Sequence, residues 1–152
     1  MEEIVDRNIL NITIDNEVLE RYNKYYFRKY PKRKKIPIQR PLHPSINQWM
    51  ILQRPAMNNL KQTWKEFCIW LINDLGYKDM KLDKYEMIFV TYMPTKRRSD
   101  PDNMSPKFIM DGFTEAGFII DDDGNHLKAL TLKTDYDKER PRTEIYVTVL
   151  ND

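Results

Sequence analysis

The clearest hydrophobic pattern lies between Met57 and Asp74, where large apolar side chains recur at helical spacing. The apolar positions are Leu60, Trp64, Phe67, Leu71 and Leu75. Because positions at i, i+4, i+7, i+11 and i+15 share one face of a helix, this stretch predicts an amphipathic helix. Gly76 follows as its predicted stop. Large aromatic residues at such spacing, including Trp64, are expected in the core rather than as ligand platforms.

Four further runs have the composition of β-strands. Tyr85 to Tyr92 is nearly continuous in apolar, β-favouring residues and predicts a buried strand. Leu127 to Leu132 and Thr143 to Leu150 predict two more strands, joined by the polar turn Asp135 to Pro141. Ile9 to Ile14 alternates over a short stretch that is compatible with a strand, but the sequence does not indicate its partner.

A second helix is predicted between Ser105-Pro106 and Gly117. Ser105 is a candidate N-cap, proline is well tolerated at the first helical position, and glycine is a common stop. Lys107 and Asp111, four residues apart, would share one face of this helix. The opposite, apolar stripe consists of Ile109, Phe113 and Ala116.

These elements and the length predict one α+β domain, in which two main helices pack on a small mixed β-sheet. A chain of 152 residues with 41% hydrophobic content has a core large enough for one domain. It contains no run of about 18 apolar residues and no signal-peptide pattern, so we expect a soluble, cytoplasmic protein without a membrane partner. The single cysteine, Cys68, lies in an apolar helical run, where we expect it to pack as a core residue.

Charge is strongly segregated, although the net charge is only +2. From Arg21 to Lys65 there are 12 lysines and arginines and no aspartate or glutamate. Residues 1–20 carry one basic and six acidic groups, and residues 66–152 carry 12 basic and 17 acidic groups. This segregation predicts an arm that faces a polyanion, attached to an acidic catalytic or metal-binding body.

The segment from Arg21 to Lys35 interleaves aromatic residues with cations. One interpretation is a DNA-contacting surface that neutralises phosphates and stacks on bases or sugars. The other is a helix end whose tyrosines pack on the body, and the sequence favours neither. The candidate DNA contacts in the arm are Lys32, Arg33, Lys34 and Lys35. Lys96, Arg97 and Arg98 adjoin the acidic loop and are further candidates, although such a run is more often a solvated face.

Two acidic clusters flank the second predicted helix. Asp100-Pro-Asp102-Asn103 precedes it, and Asp121-Asp122-Asp123 follows it. Carboxylates that a fold draws together repel one another and need a compensating cation, and oxygen donors favour Mg²⁺ or Mn²⁺. Such a site suits phosphodiester hydrolysis, in which a nearby lysine stabilises developing charge. The spacing does not match an EF-hand, and the residue types alone are also compatible with solvated turns.

The order of these residues resembles the signature of RusA-like Holliday-junction resolvases. The matching positions are Asp100, Asp102, Asn103, Lys107, Asp111, Gly117, Asp121 and Asp122. Upstream, Pro44 to Asn47 resembles the family's turn after its first strand, which would be Lys35 to Arg40. The resemblance covers about residues 35–150. In this chain three residues separate Asn103 from Lys107, where the commoner family pattern has two.

The resemblance implies a nuclease domain over residues 35–152, preceded by an N-terminal extension with the basic, aromatic arm over residues 1–34. It implies that the catalytic residues are Asp100, Asp102, Asp122 and Lys107. The implied metal ligands are Asp100, Asp102, Asp122 and the accessory Asp121, with Mg²⁺ as cofactor and Mn²⁺ as the alternative. Asn103 would position the loop and Asp111 would orient Lys107.

The activity that the resemblance implies is metal-dependent cleavage of four-way DNA junctions in recombination or repair, by a homodimer with two sites related by a twofold axis. One alternative is a catalytically silent branched-DNA-binding module of the same fold, for example of prophage origin. Another is a nuclease that acts on flaps or forks. For both His43 and His126 we expect a structural role rather than a catalytic one.

We expect both acidic clusters to form one metal site, but strand direction matters. If the strands before and after the second helix were parallel neighbours, the clusters would lie at opposite ends of the sheet. The loop from Thr95 to Met104, which can span up to about 33 Å, or an antiparallel arrangement of the strands would close the distance.

Overall fold

A computed structural model describes residues 9–97 and 100–150. Its elements in chain order are β1 (Ile9–Ile14), α1 (Asn16–Lys29), α2 (Ile46–Trp49), α3 (Arg54–Asp74), β2 (Tyr85–Met93), a 3-10 turn (Pro101–Met104), α4 (Lys107–Glu115), β3 (Leu127–Tyr136) and β4 (Arg142–Val149). Within these ranges, no helix combines the length and apolar character needed to cross a membrane.

The four strands form one mixed sheet in the order β1-β4-β2-β3. Strand β4 is antiparallel to both β1 and β2, whereas β2 and β3 are parallel. A parallel pair needs a crossover connection, and here the 3-10 turn and α4 provide it. The single α+β domain with a small mixed sheet, which the hydrophobic pattern predicted, is confirmed.

The core lies between the helices and one face of the sheet. Because successive strand residues point to opposite faces, alternate positions of β1, β2 and β4 are buried, whereas β3 at the edge of the sheet is largely exposed. The strand side of the core includes Ile12, Ile14, Tyr85, Met87, Phe89, Ile145 and Val147, and the helix side includes Tyr22, Phe67, Leu71, Ile109 and Phe113.

The two main helices correspond closely to the predicted ones. Helix α3 begins at Arg54, three residues before the predicted start, with Pro55 in its first turn, and Gly76 (φ 79°) follows its end. Helix α4 begins at Lys107 with Pro106 as its N-cap, so the prediction of Ser105 as N-cap was wrong by one residue. Its predicted apolar stripe of Ile109, Phe113 and Ala116 is buried, as expected.

The N-terminal region is part of the domain. Strand β1 pairs with β4, and the Tyr22 ring of α1 lies 5.0 Å from the Phe67 ring of α3, between centroids. Burial of Tyr22 and Tyr26 matches the interpretation of the aromatic arm as a helix whose tyrosines pack on the body. The predicted boundary at residue 34 therefore does not coincide with a boundary of the fold.

The strand predicted from Lys35 to Arg40 was wrong. This segment consists of bends and irregular backbone, with mostly exposed side chains except Ile38. Pro37 and the following Pro41 lack the backbone N–H that a strand ladder needs, which accounts for the difference. The first strand of the sheet is instead β1.

Candidate active site

The parallel pairing of β2 with β3 separates the two acidic clusters. Asp100 follows the carboxyl end of β2, whereas Asp121 precedes the amino end of β3. Asp121 lies beside the start of β2, because the Tyr85 hydroxyl donates a hydrogen bond to the Asp121 carbonyl oxygen at 2.6 Å. Helix α4, about 13 Å long at ~1.5 Å per residue, lies between them in the chain.

The Asp100 cluster borders a cavity of about 620 Å³ at the carboxyl end of β2. Its polar lining consists of Arg40, Ser45, Asn47, Gln48, Thr95, Arg97, Asp100 and Asn103. Asn103 is held in place, since its side-chain oxygen accepts a hydrogen bond from the Asn47 backbone N–H at 3.0 Å. The combination of two guanidinium groups with amides and one carboxylate suits a phosphate-bearing polar ligand.

Asp102 and Lys107, two of the predicted catalytic residues, are exposed. Asp102 lies in the 3-10 turn and Lys107 is the first residue of α4. Lys107 and Asp111 are one helical turn apart. Both belong to the described residues, and they form no ion pair with each other. The predicted orientation of Lys107 by Asp111 is therefore not present as a direct contact.

The second acidic cluster borders a separate cavity of about 250 Å³ between α3 and α4. Its lining residues are Lys61, Lys65, Asp111, Thr114, Glu115, Asp121 and Asp122, none of which lines the larger cavity. Partial burial raises the pKa of Asp122, and a hydrogen bond with the Asp121 carboxyl and the charges of Asp111 and Asp121 raise it further. Crowded carboxylates thus repel one another at this end of α4.

Lys61 and Lys65 were not identified as site residues in the sequence. They are four residues apart, so they share one face of α3, and both are half-buried beside the carboxylates. Their spacing was the available signal, but only the packing of α4 on α3 shows that this face meets the acidic cluster.

That packing depends on a close approach at Gly112. A β-carbon built on Gly112 would lie 2.5 Å from the Cβ of Cys68 and 3.5 Å from the Cα of Lys65. The absence of a side chain lets the helices approach there, which places Lys65 and Asp111 at the same cavity. Cys68 is fully buried, and burial raises the pKa of its thiol, in keeping with the predicted core role.

Whether a metal ion fits the smaller cavity depends on the donor atoms that surround it. Within the described ranges, no three carboxylate, imidazole or thiol groups converge closely enough to hold a metal ion. The oxygen donors of Asp111, Asp121 and Asp122 are nevertheless of the type that Mg²⁺ prefers, and a cation would relieve the repulsion that raises the pKa of Asp122. The structure does not bring Asp100 and Asp102 into the cavity that Asp122 lines.

The predicted DNA-contacting cations have different surroundings. The Arg33 guanidinium lies 3.8 Å from the Tyr30 ring centroid and donates to the Tyr26 hydroxyl at 2.8 Å. The Lys96 ammonium lies 5.2 Å from the Tyr136 ring centroid. Like Arg33, the neighbouring cations Lys32, Lys34 and Lys35 are exposed. Arg97 lines the larger cavity, and Arg98 lies outside the described residues.

Both histidines hold loops in place. The His126 Nδ1 atom lies 2.9 Å from both the Asp83 carboxylate and its carbonyl oxygen, and the Nε2 atom lies 3.9 Å from the Asp123 carboxylate. Desolvation opposes protonation, but the hydrogen bonds to Asp83 and the charge of Asp123 raise the His126 pKa overall. His43 is buried, and its Nε2 atom lies 2.8 Å from the Met104 carbonyl oxygen.

In comparisons with known proteins, no family model and no curated protein matches this chain. The residues of the two cavities and their order along the chain therefore carry the functional argument.

Proposed function

We propose that this chain is a Mg²⁺-dependent, structure-selective endodeoxyribonuclease that hydrolyses phosphodiester bonds in Holliday junctions or related branched DNA. The observation that supports this most is that Asp111, Asp121 and Asp122 line one cavity with Lys61 and Lys65, where desolvation first, and then the neighbouring carboxylates, raise the pKa of Asp122. Repelling carboxylates weaken the binding of a polyanion, whereas they are the ligands that a catalytic cation requires. The order of Asp100, Asp102, Lys107 and Asp122 resembles that of RusA-like resolvases.

Asp121 and Asp122 would hold the metal ion, which when bound activates water and neutralises charge on the scissile phosphate. Lys107 would stabilise the phosphate oxygens as negative charge builds on them, since its ammonium group is exposed at the start of α4. Asp100 and Asp102, held at the 3-10 turn, would complete the site when DNA binding brings Asp121 and Asp122 toward them. Mn²⁺ would occupy the same oxygen donors.

Cations at both cavities support a polyanion such as DNA as the substrate, and the resemblance to RusA-like resolvases suggests that the DNA is branched. Arg40 and Arg97 line the larger one, and Lys61 and Lys65 line the smaller one. The exposed cations after α1 would contact phosphates farther from the cut, with Lys96 beside the larger cavity. A homodimer acting in the cytoplasm would place two such sites on opposite arms of a four-way junction.

The decisive experiment is incubation of the purified protein with synthetic four-way junction, fork and duplex DNA, in Mg²⁺, in Mn²⁺ and in chelator. We expect metal-dependent cleavage of the branched substrates. Asp122→Asn should abolish cleavage, whereas the matched control Asp135→Asn, an exposed aspartate on β3, should cleave as the unchanged protein does. Absence of cleavage on every substrate in both metals would refute the proposal.

The second candidate is a branched-DNA-binding module without catalysis. It is favoured by the separation of Asp100 from Asp122 into different cavities. Junction binding measured in chelator distinguishes the two: a binding module retains its full affinity there and cleaves nothing when metal is added. The nuclease instead cleaves with metal, and Asp102→Asn should abolish cutting while junction binding survives.

A further inference from the structure

His43 lies in the chain segment that connects α1 to α2, and only 1% of its surface is exposed. Its Nε2 atom is 2.8 Å from the Met104 carbonyl oxygen, and its ring meets the Phe89 ring edge to face at 6.1 Å. A carbonyl oxygen only accepts hydrogen bonds, so Nε2 carries the proton and donates. Within the part of the chain that the structure describes, the buried Nδ1 atom has no hydrogen-bond partner.

A second contact joins the same two segments. The Asn47 backbone N–H donates to the Asn103 side-chain oxygen at 3.0 Å. Asn47 lies in the first turn of α2, which a reciprocal capping box fixes: the Ser45 N–H donates to the Gln48 side chain at 2.8 Å and the Gln48 N–H to the Ser45 hydroxyl at 3.3 Å. The Asn47 donor belongs to this capped turn and His43 lies two residues before it, so both donors fall in residues 43–48, here called the braced segment, and both acceptors belong to the 3-10 turn.

The 3-10 turn has little internal support. It is four residues long, its N-cap Asp100 provides no side-chain cap, and the Asn103 N–H donates to the Asp100 carbonyl oxygen at 3.0 Å. Short 3-10 turns have poor hydrogen-bond geometry, so their position depends on contacts from outside. The braced segment supplies such contacts at Asn103 and Met104.

We propose that His43 is a positioning residue, which clamps the 3-10 turn through Met104 and so sets where Asp100 and Asp102 stand. This role rests on the proposed function, in which those two carboxylates join the metal site. The chemistry of His43 supports it, because an apolar side chain would fill the space beside Phe89 without burying an unpaired nitrogen. Unlike an apolar side chain, the histidine donates a hydrogen bond to the 3-10 turn.

The test compares His43→Gln with His43→Asn in the full chain. A glutamine amide nitrogen reaches the place of the imidazole Nε2 atom and retains the donor, whereas an asparagine amide reaches only the place of Nδ1. The measurements are single-turnover cleavage rate, junction affinity in Ca²⁺, and amide hydrogen exchange at Asn103 and Met104. The control is Gln39→Asn, which shortens an exposed side chain in the same loop.

We expect His43→Asn to lower the cleavage rate about tenfold or more, with junction affinity changed less than about twofold, because the carboxylates are displaced while the cations remain. Exchange at the two amides should rise about tenfold, and His43→Gln should restore both rate and protection to near the original values. Equal cleavage rates and equal amide exchange in the two variants would overturn the clamp, and so would an unchanged cleavage rate in His43→Asn.

The exchange measurement separates this inference from the proposed function. If the unchanged protein cleaves no substrate, the nuclease proposal fails, while faster exchange in His43→Asn but not in His43→Gln still establishes the clamp. If His43→Asn does not fold, His43→Leu decides, because it fills the space beside Phe89 and removes the donor to the Met104 carbonyl oxygen. Faster exchange at Asn103 and Met104 then supports the clamp, and unchanged exchange overturns it.

Discussion

Gly112 of α4 and Cys68 of α3 meet where a β-carbon on the glycine would lie 2.5 Å from the Cβ of the cysteine. Real β-carbons do not approach so closely, so the distance between the two helices depends on this glycine. The same contact places Lys65 and Asp111 on one cavity. Helix packing and the candidate active site are thereby coupled at one residue.

Gly112→Ala should destabilise the protein. The new methyl group forces α3 and α4 apart or distorts them, a cost of about 1–3 kcal/mol for an overpacked core. The measurement is the free energy of unfolding by urea. Gly124→Ala is the matched control, because nothing lies within 4 Å of its added carbon, and it should change stability by less than about 0.5 kcal/mol. Equal stabilities for the two variants would contradict the close approach.

Mg²⁺ should raise the thermal stability of the protein, because a ligand that binds only the folded state stabilises it by about 2.7 kcal/mol at 100 times its Kd. Asp122→Asn should lose most of this gain, whereas Asp135→Asn should keep it. Without metal, the raised Asp122 pKa means that the ionised carboxylate opposes folding at neutral pH. Asp122→Asn should therefore be at least as stable as the unchanged protein in chelator. Melting temperatures with and without Mg²⁺ test both statements.

His43 should make stability depend on pH. Burial lowers its pKa from 6.5 to about 4, although the hydrogen bond to Met104 opposes the shift. Between these values the unfolded chain binds a proton that the folded protein does not, so stability falls as pH decreases from about 6.5 to about 4. The contribution is about 3 kcal/mol across that interval at about 1.36 kcal/mol per pKa unit.

Urea unfolding at pH 7 and pH 4.5 measures the effect of His43. In His43→Gln, which has no titratable group, the decrease in stability between these pH values should be smaller by most of that amount. Other groups that titrate in this interval remain in both proteins and cancel in the comparison. The same decrease in both proteins would contradict a neutral, buried imidazole.

Arg142→Lys should destabilise the open face of the sheet. The Arg142 guanidinium lies 3.8 Å from the Tyr92 ring centroid and donates to Asp137 and Glu144, at 2.8 Å each. An ammonium group cannot stack flat on the ring while reaching both carboxylates, so we expect a loss of about 1–2 kcal/mol in unfolding free energy. Arg28→Lys, an exposed position at the end of α1, serves as control and should have little effect.

The elements with long apolar patterns were predictable from the sequence. Helix α3 and strands β2 and β4 were placed to within a few residues because buried positions recur along them, and β3 was placed from its β-favouring residues although it is largely exposed. In α1, Tyr22 and Tyr26 also have helical spacing. Because cations lie among the aromatic residues, however, the sequence favoured a DNA-contacting arm and a helix packed on the body equally. Which rings pack inward depends on their contact with α3, and a contact 45 residues away, such as Tyr22 with Phe67, leaves no local pattern.

The acidic residues of the candidate site were predictable as residue types, but their arrangement was not. Whether Asp100 and Asp122 lie together depends on the direction in which β2 pairs with β3, and the sequence allowed both directions. The pairing is parallel, and helix α4, which connects the two strands, docks on α3 at Gly112. The same docking brings Lys61 and Lys65 to Asp122, which is why these lysines were not identified beforehand.

The pairing of β1 with β4 has a consequence for folding during synthesis. Strand β1 hydrogen-bonds only to β4 within the sheet, with Ile12 opposite Ile145. Ile12 and its partner Ile145 are 133 residues apart in the chain, so a ribosome makes β1 long before the strand with which it pairs. Contacts so distant in sequence slow folding, and closure of the sheet becomes a late step that follows release of β4 from the exit tunnel.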